Sequence, residues 1–140
     1  MNVTLSHVPF EAIRIGDRAS LSKTIASDDV ESFAAITGDT NPVHLDEAFA
    51  RSTIFKGRVA HGMLSASLIS AVLGTKLPGP GAIYLQQSLR FLAPVRLGET
   101  VVAEIEVLEK DEARRRLKLS TRCRVGDRAV LEGEALVQVG

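Results

Sequence analysis

From Ala82 to the C-terminus, hydrophobic and polar residues alternate. The segments AIYLQQSLRFL, ETVVAEIEVLEK, RRRLKLSTRCRV and RAVLEGEALVQV run at period two or nearly so. That is the spacing of strands with one buried face. The breaks between them, APVRLGE, KDEA and GD, are short, so four consecutive strands in an antiparallel sheet are expected. The first eighty or so residues read differently. Ala19 to Ile25 alternates and predicts a short strand. SDDVESFAAITG predicts a helix. Asp28 with Glu31 fits a capping box, with acid where the helix dipole favours it. Val30, Phe33 and Ile36 supply an apolar stripe, and Gly38 stands where a C-terminal cap belongs. The turn DTNPVH follows, then a short helix from about Asp46 to Arg51. HGMLSASLISAVLG is apolar on nearly every side, the mark of a buried helix; Gly74 and the loop LPGPG mark its end. A buried helix ahead of a large antiparallel sheet predicts an α+β layer architecture, the helix wrapped by the concave face. The helix covers one face of that sheet, so pairing with a second copy is expected.

Length and composition narrow the class. A chain of 140 residues, 45% apolar, fits one domain over residues 1–140. With no Trp and one Tyr, Leu, Val, Ile and Ala must fill the core. Lys and Arg together equal Asp and Glu, without the basic surplus that a nucleic-acid partner needs. The single cysteine, Cys123, rules out an internal disulfide and a thiolate metal cluster. It suits a reducing cytoplasm. MNVTLSHVPFEAI lacks the basic and apolar regions of a targeting signal. MLSASLISAVLG, interrupted by three serines, falls short of the ~20 residues that span a bilayer. A cytoplasmic enzyme or binding protein is expected.

Chemistry concentrates in two stretches. In GDTNPVH, Pro42 fixes its own φ and pushes Asn41 out of the helical region. Asp39 and His44 therefore stand across a set turn. A carboxylate and an imidazole meeting there can grip and deprotonate water, although on residue types alone local capping is the commoner reason for such a turn. In VAHGML a helix begins near His61, leaving the N–H groups of Gly62 and Met63 without intrahelical partners. Gly62 has no side chain to block an approach, so its N–H can hold a carbonyl oxygen that becomes negative. Asp39, His44, Asp46 and His61 match no metal-site spacing, so no metal is expected. Arg114, Arg116, Lys118 and Arg122 fall on the polar face of one strand, a solvated face or a docking strip for an anion. Cys123 lies mid-strand with no base beside it.

FAAITGDTNPVHLDEAFA, FKGRVAHGMLSASLIS and LPGPGAIYLQQSLRFLAPVRLGETV together resemble the MaoC-like hydratases. The likeness is greatest to the (R)-specific enoyl-CoA hydratases of polyhydroxyalkanoate synthesis, from about residue 10 onward. The resemblance implies a single hot-dog fold, a long helix wrapped by a curved antiparallel sheet. It implies a homodimer joined edge to edge. It implies reversible addition of water to a trans-2-enoyl-CoA, giving an (R)-3-hydroxyacyl-CoA with no cofactor. On this resemblance Asp39 and His44 match the catalytic pair, and Gly62 the N–H donor to the thioester carbonyl. Asn41 and Pro42 match the turn that sets the pair, and Ser70 a helix serine near the site. His61 and Leu73 join them on the substrate side, the acyl chain passing beside Ser70 and Leu73. A hot-dog thioesterase, a dehydratase acting on acyl carrier protein, and a non-catalytic acyl-CoA binding module are the alternatives.

Overall fold

The computed structural model describes residues 5–140. A short 3-10 turn, Phe10–Ala12, leads into strand β1 (Arg18–Thr24). Helices α1 (Ser27–Thr37), α2 (Pro42–Leu45), α3 (Glu47–Arg51) and α4 (Gly62–Thr75) follow, and then strands β2 (Ile83–Gln87), β3 (Arg90–Phe91), β4 (Thr100–Asp111), β5 (Arg116–Val125) and β6 (Arg128–Gln138). The sheet runs β1-β4-β5-β6-β2, with β3 also on β6. Every pairing is antiparallel.

Alternation decides which side chains meet α4. On β4 Val101, Ala103, Ile105 and Val107 are buried, and on β5 Leu117, Leu119, Thr121 and Cys123. These residues form the concave floor under Leu68, Ile69, Val72 and Leu73 of α4. Burial pushes the Cys123 thiol up to about 12, and its S–H donates to the Ser65 carbonyl. A thiol so far from ionising is no nucleophile, as its mid-strand place suggested.

Several local expectations need correction. Asp29, not Asp28 with Glu31, closes the capping box of α1; its carboxylate accepts from the Ala26 N–H at 2.8 Å. The buried side of α1 carries Val30 and Ala34, while Ile36 is 84% exposed. Gly38 does cap the helix, at φ 80°. Asn41 to Leu45 is not merely a turn, since Pro42–Leu45 closes a helical turn. α4 continues past Gly74 to Thr75. Nor is α4 covered all round: Met63, Ser67 and Ser70 form an open stripe. The first of the four expected strands is broken in two. Between β2 and β3 the backbone crosses tightly over β6 at Gly133, where an added Cβ would sit 1.8 Å from the Ser88 carbonyl oxygen. Finally, the basic strip on β5 is matched by acids on both neighbouring strands. Lys118 lies 3.7 Å from Glu109 and 3.5 Å from Glu134, which suits a solvated face rather than an anion dock.

Candidate active site

The segment Arg58 to Gly62 holds the Asp39–His44 turn from one side. Asn41 begins α2 by accepting from the Val43 N–H at 3.2 Å, and Pro42 occupies the first helical position, where its missing N–H costs nothing. The cap is worth about 1 kcal/mol. The Asp39 carboxylate accepts from the Asn41 N–H at 3.2 Å, so the acid is aimed by its own turn. The far end is fixed by tertiary contacts. Arg58 Nε donates to the His44 carbonyl at 2.7 Å, and Arg58 Nη1 to Ser27 Oγ at 3.1 Å.

Two histidine tautomers follow from their partners. His44 Nδ1 lies 2.8 Å from the Val59 carbonyl, which only accepts. Nδ1 must carry the hydrogen, leaving Nε2 as the ring atom with a lone pair. His61 Nε2 lies 2.9 Å from the Asp39 carbonyl, so the same reasoning places its hydrogen on Nε2. The two rings stack, with centroids 3.8 Å apart and planes at 30°; Phe33 lies against His61 on the other side. Burial, chiefly, lowers the pKa of His44 from 6.5; the neighbouring His61 lowers it too, while the Val59 carbonyl and Asp39 oppose the shift.

These groups open on a cavity of about 540 Å³. Asp39, Asn41, His44 and His61 line it, with Gly62 and Ser65 at the start of α4. Val130, Leu131 and Pro94 give it apolar walls. Gly62 leaves room for the Phe91 ring, which lies 2.7 Å from where a Cβ would sit. The cavity thus joins a carboxylate, an imidazole lone pair and a helix N-terminus, a set able to handle water beside a polarised carbonyl. Potential ligand atoms of Asp39, His44 and His61 lie within 4.8 Å of one another.

Of the residues singled out in the sequence, Asp39, Asn41, His44, His61 and Gly62 come together around this cavity. Pro42 does not line it and acts as scaffold. His61 is 2% exposed, and its Nε2–H holds the Asp39 backbone. Its place is behind the pair more than in front of a ligand. Ser70 and Leu73 lie elsewhere, around a second cavity of about 70 Å³ shared with Tyr84 and Val137. Arg58 and Ser65 were not anticipated. Arg58 offers no sequence signal. Ser65 offers a faint one, a serine three residues beyond Gly62 in an otherwise apolar turn.

A helix laid in the concave side of one antiparallel sheet, with its N-terminus at the site, is the hot-dog arrangement. The family model described as "MaoC like domain" matches residues 12–127, and the chain belongs to the MaoC-like family. Among curated relatives, the 3-hydroxybutyryl-CoA dehydratase of Methylorubrum extorquens is 55% identical, covering 93% of this chain and 83% of the relative. The (R)-specific enoyl-CoA hydratase of Rhodospirillum rubrum is 53% identical, covering 93% and 90%. Among solved structures, unliganded R-hydratase PhaJ1 of Pseudomonas aeruginosa superposes with a TM-score of 0.92 at 46% identity, covering 96% and 87%.

Proposed function

We propose that this protein is an (R)-specific enoyl-CoA hydratase, adding water reversibly and syn across a trans-2-enoyl-CoA to give an (R)-3-hydroxyacyl-CoA. The observation that carries the reading is the meeting of Asp39, His44 Nε2 and the Gly62 N–H in one cavity. Asp39 and His44 share a water; Asp39 takes its proton as the hydroxyl attacks C3. Charge moves to the thioester oxygen, which the Gly62 N–H holds as an enolate. A proton then returns from the Asp39–His44 pair to C2, completing the addition and regenerating both groups. Delivery from one cluster makes the addition syn. The scheme uses no metal and no cofactor. The supporting comparison is with relatives named for this chemistry, at 53–55% identity. Crotonyl-CoA is the first substrate to test: loss of enoyl-thioester absorbance without release of free thiol supports hydration. Thiol release supports the thioesterase alternative.

The acyl chain, in this reading, runs toward the small cavity between Ser70, Leu73 and Tyr84. A second copy is proposed to lie along β2. That strand is a sheet edge, and Ile83, Tyr84, Leu85, Phe91 and Leu92 are exposed apolar residues on or near it, beside the open stripe of α4. Unpaired apolar edges are covered in stable proteins. Light scattering is expected to give twice the 15.0 kDa chain mass; a chain-sized mass at micromolar concentration would remove the dimer. We place the protein in the cytoplasm. Among the described residues no helix is long and apolar enough to cross a membrane.

The pH profile follows from His44. Water binding needs its Nε2 lone pair, hence the neutral ring. Its pKa lies below 6.5, so the ring stays neutral as pH falls through 6.5 and charges only further down. The acid limb of kcat/KM that belongs to His44 is therefore expected below 6.5, and His44→Gln should remove it along with most of the rate. An acid limb centred above 6.5 contradicts this assignment.

A further inference from the structure

Two buried polar atoms in the first turn of α4 have no task in the mechanism above. Ser65 Oγ and His61 Nδ1 have no hydrogen-bond partner among the described residues, and both residues are 2% exposed. Two other hydroxyls of this helix bond back to its own carbonyls, Ser67 to Leu64 and Thr75 to Ala71, and Ser70 is exposed. Ser65 is neither bonded nor exposed. An unpaired buried hydroxyl is costly and calls for a reason.

Ser65 lines the same cavity as Gly62, Asp39 and His44. Helical side chains lean toward the N-terminus of their helix, so the Ser65 hydroxyl overlies the turn that holds Gly62. Its O–H and the Gly62 N–H address the same part of the cavity. The other orphan, His61 Nδ1, is an acceptor in the tautomer that its Nε2–H bond sets, so it cannot meet a carbonyl oxygen. Ser65 can.

We propose that Ser65 is a catalytic residue, the second donor to the thioester oxygen, forming with the Gly62 N–H a two-point clamp. It keeps its proton throughout; no bond to it is made or broken. Its hydrogen bond shortens and strengthens as the oxygen takes on enolate charge, so the effect falls on kcat more than on KM. This inference deepens the hydratase reading and rests on it.

The test compares wild type, Ser65→Ala and Ser65→Cys with crotonyl-CoA, with circular dichroism and thermal unfolding on the same samples. Ala suits a helix and removes one atom, and Cys keeps the bulk with a weak donor if Ala fails to fold. The expected result is a fall in kcat of about tenfold to a hundredfold with KM nearly unchanged. A second readout is the thioester carbonyl stretch of bound butyryl-CoA, a saturated analogue, by difference infrared. It should lie at lower frequency in wild type than in either variant. A kcat within about twofold of wild type, or a change confined to KM or melting temperature, overturns the proposal. So does an unchanged stretch. If wild type itself fails to hydrate enoyl-CoA, the functional reading falls, while the infrared comparison still decides whether Ser65 meets the thioester.

Discussion

Asp39→Asn is expected to lower kcat for crotonyl-CoA hydration by about a thousandfold, the range of a lost general base, while the chain stays folded. The structure separates the two effects cleanly. Asp39 is exposed, and its carboxylate accepts one local bond, from the Asn41 N–H. The amide oxygen of Asn can accept that bond too. The hold of His61 on this position is through the Asp39 backbone carbonyl, which the substitution leaves intact. Stability should therefore change little, whereas an amide cannot take the water proton. Steady-state kinetics beside thermal unfolding checks both halves. A kcat within about tenfold of wild type would move the base to another group.

Gly62→Pro should cost about a hundredfold or more in kcat, by deleting the backbone N–H proposed to hold the oxyanion. Few positions allow this experiment. Gly62 is the first residue of α4, where Pro is well tolerated. His61 before it has ψ 134°, already the conformation that a residue preceding proline adopts. The obstacle is the Phe91 ring, 2.7 Å from an added Cβ. The comparison is therefore made in a Phe91→Ala background, Gly62→Pro against Gly62→Ala. Both carry a Cβ, and only Ala keeps the N–H. Equal rates in the two would show that this donor does not act on the thioester.

Much of the architecture was legible because period-two segments and one long apolar helix leave few ways to build a core. The site was legible where it is contiguous. Asp39, Asn41, Pro42 and His44 share one local turn, and His61 and Gly62 one helix start. What stayed hidden depends on contacts between distant segments. The break between β2 and β3 is set by Gly133, more than forty residues on. The grip of Arg58 on the His44 carbonyl has no signature in residue order. α4 offers three serines, Ser65, Ser67 and Ser70, and only the rotation of the helix in its sheet decides which one faces the Asp39–His44 cavity. Ser65 does, while Ser70 sits by the smaller cavity near Tyr84. Ile36 looked like part of a buried stripe because its spacing fits. Ile36 instead faces solvent, and Ala34, one helical turn on from Val30, is what is buried.

The central claim is that this cavity adds water at C3 of an enoyl thioester and delivers both parts from one side. The most direct measurement is chiral analysis of the product from crotonyl-CoA in deuterated water, with free thiol assayed in the same tube. The account predicts (R)-3-hydroxybutyryl-CoA carrying deuterium at C2 in the single configuration that syn addition gives, and no thiol. Free CoA thiol, the (S) product, or deuterium in both C2 configurations early in the reaction would contradict it.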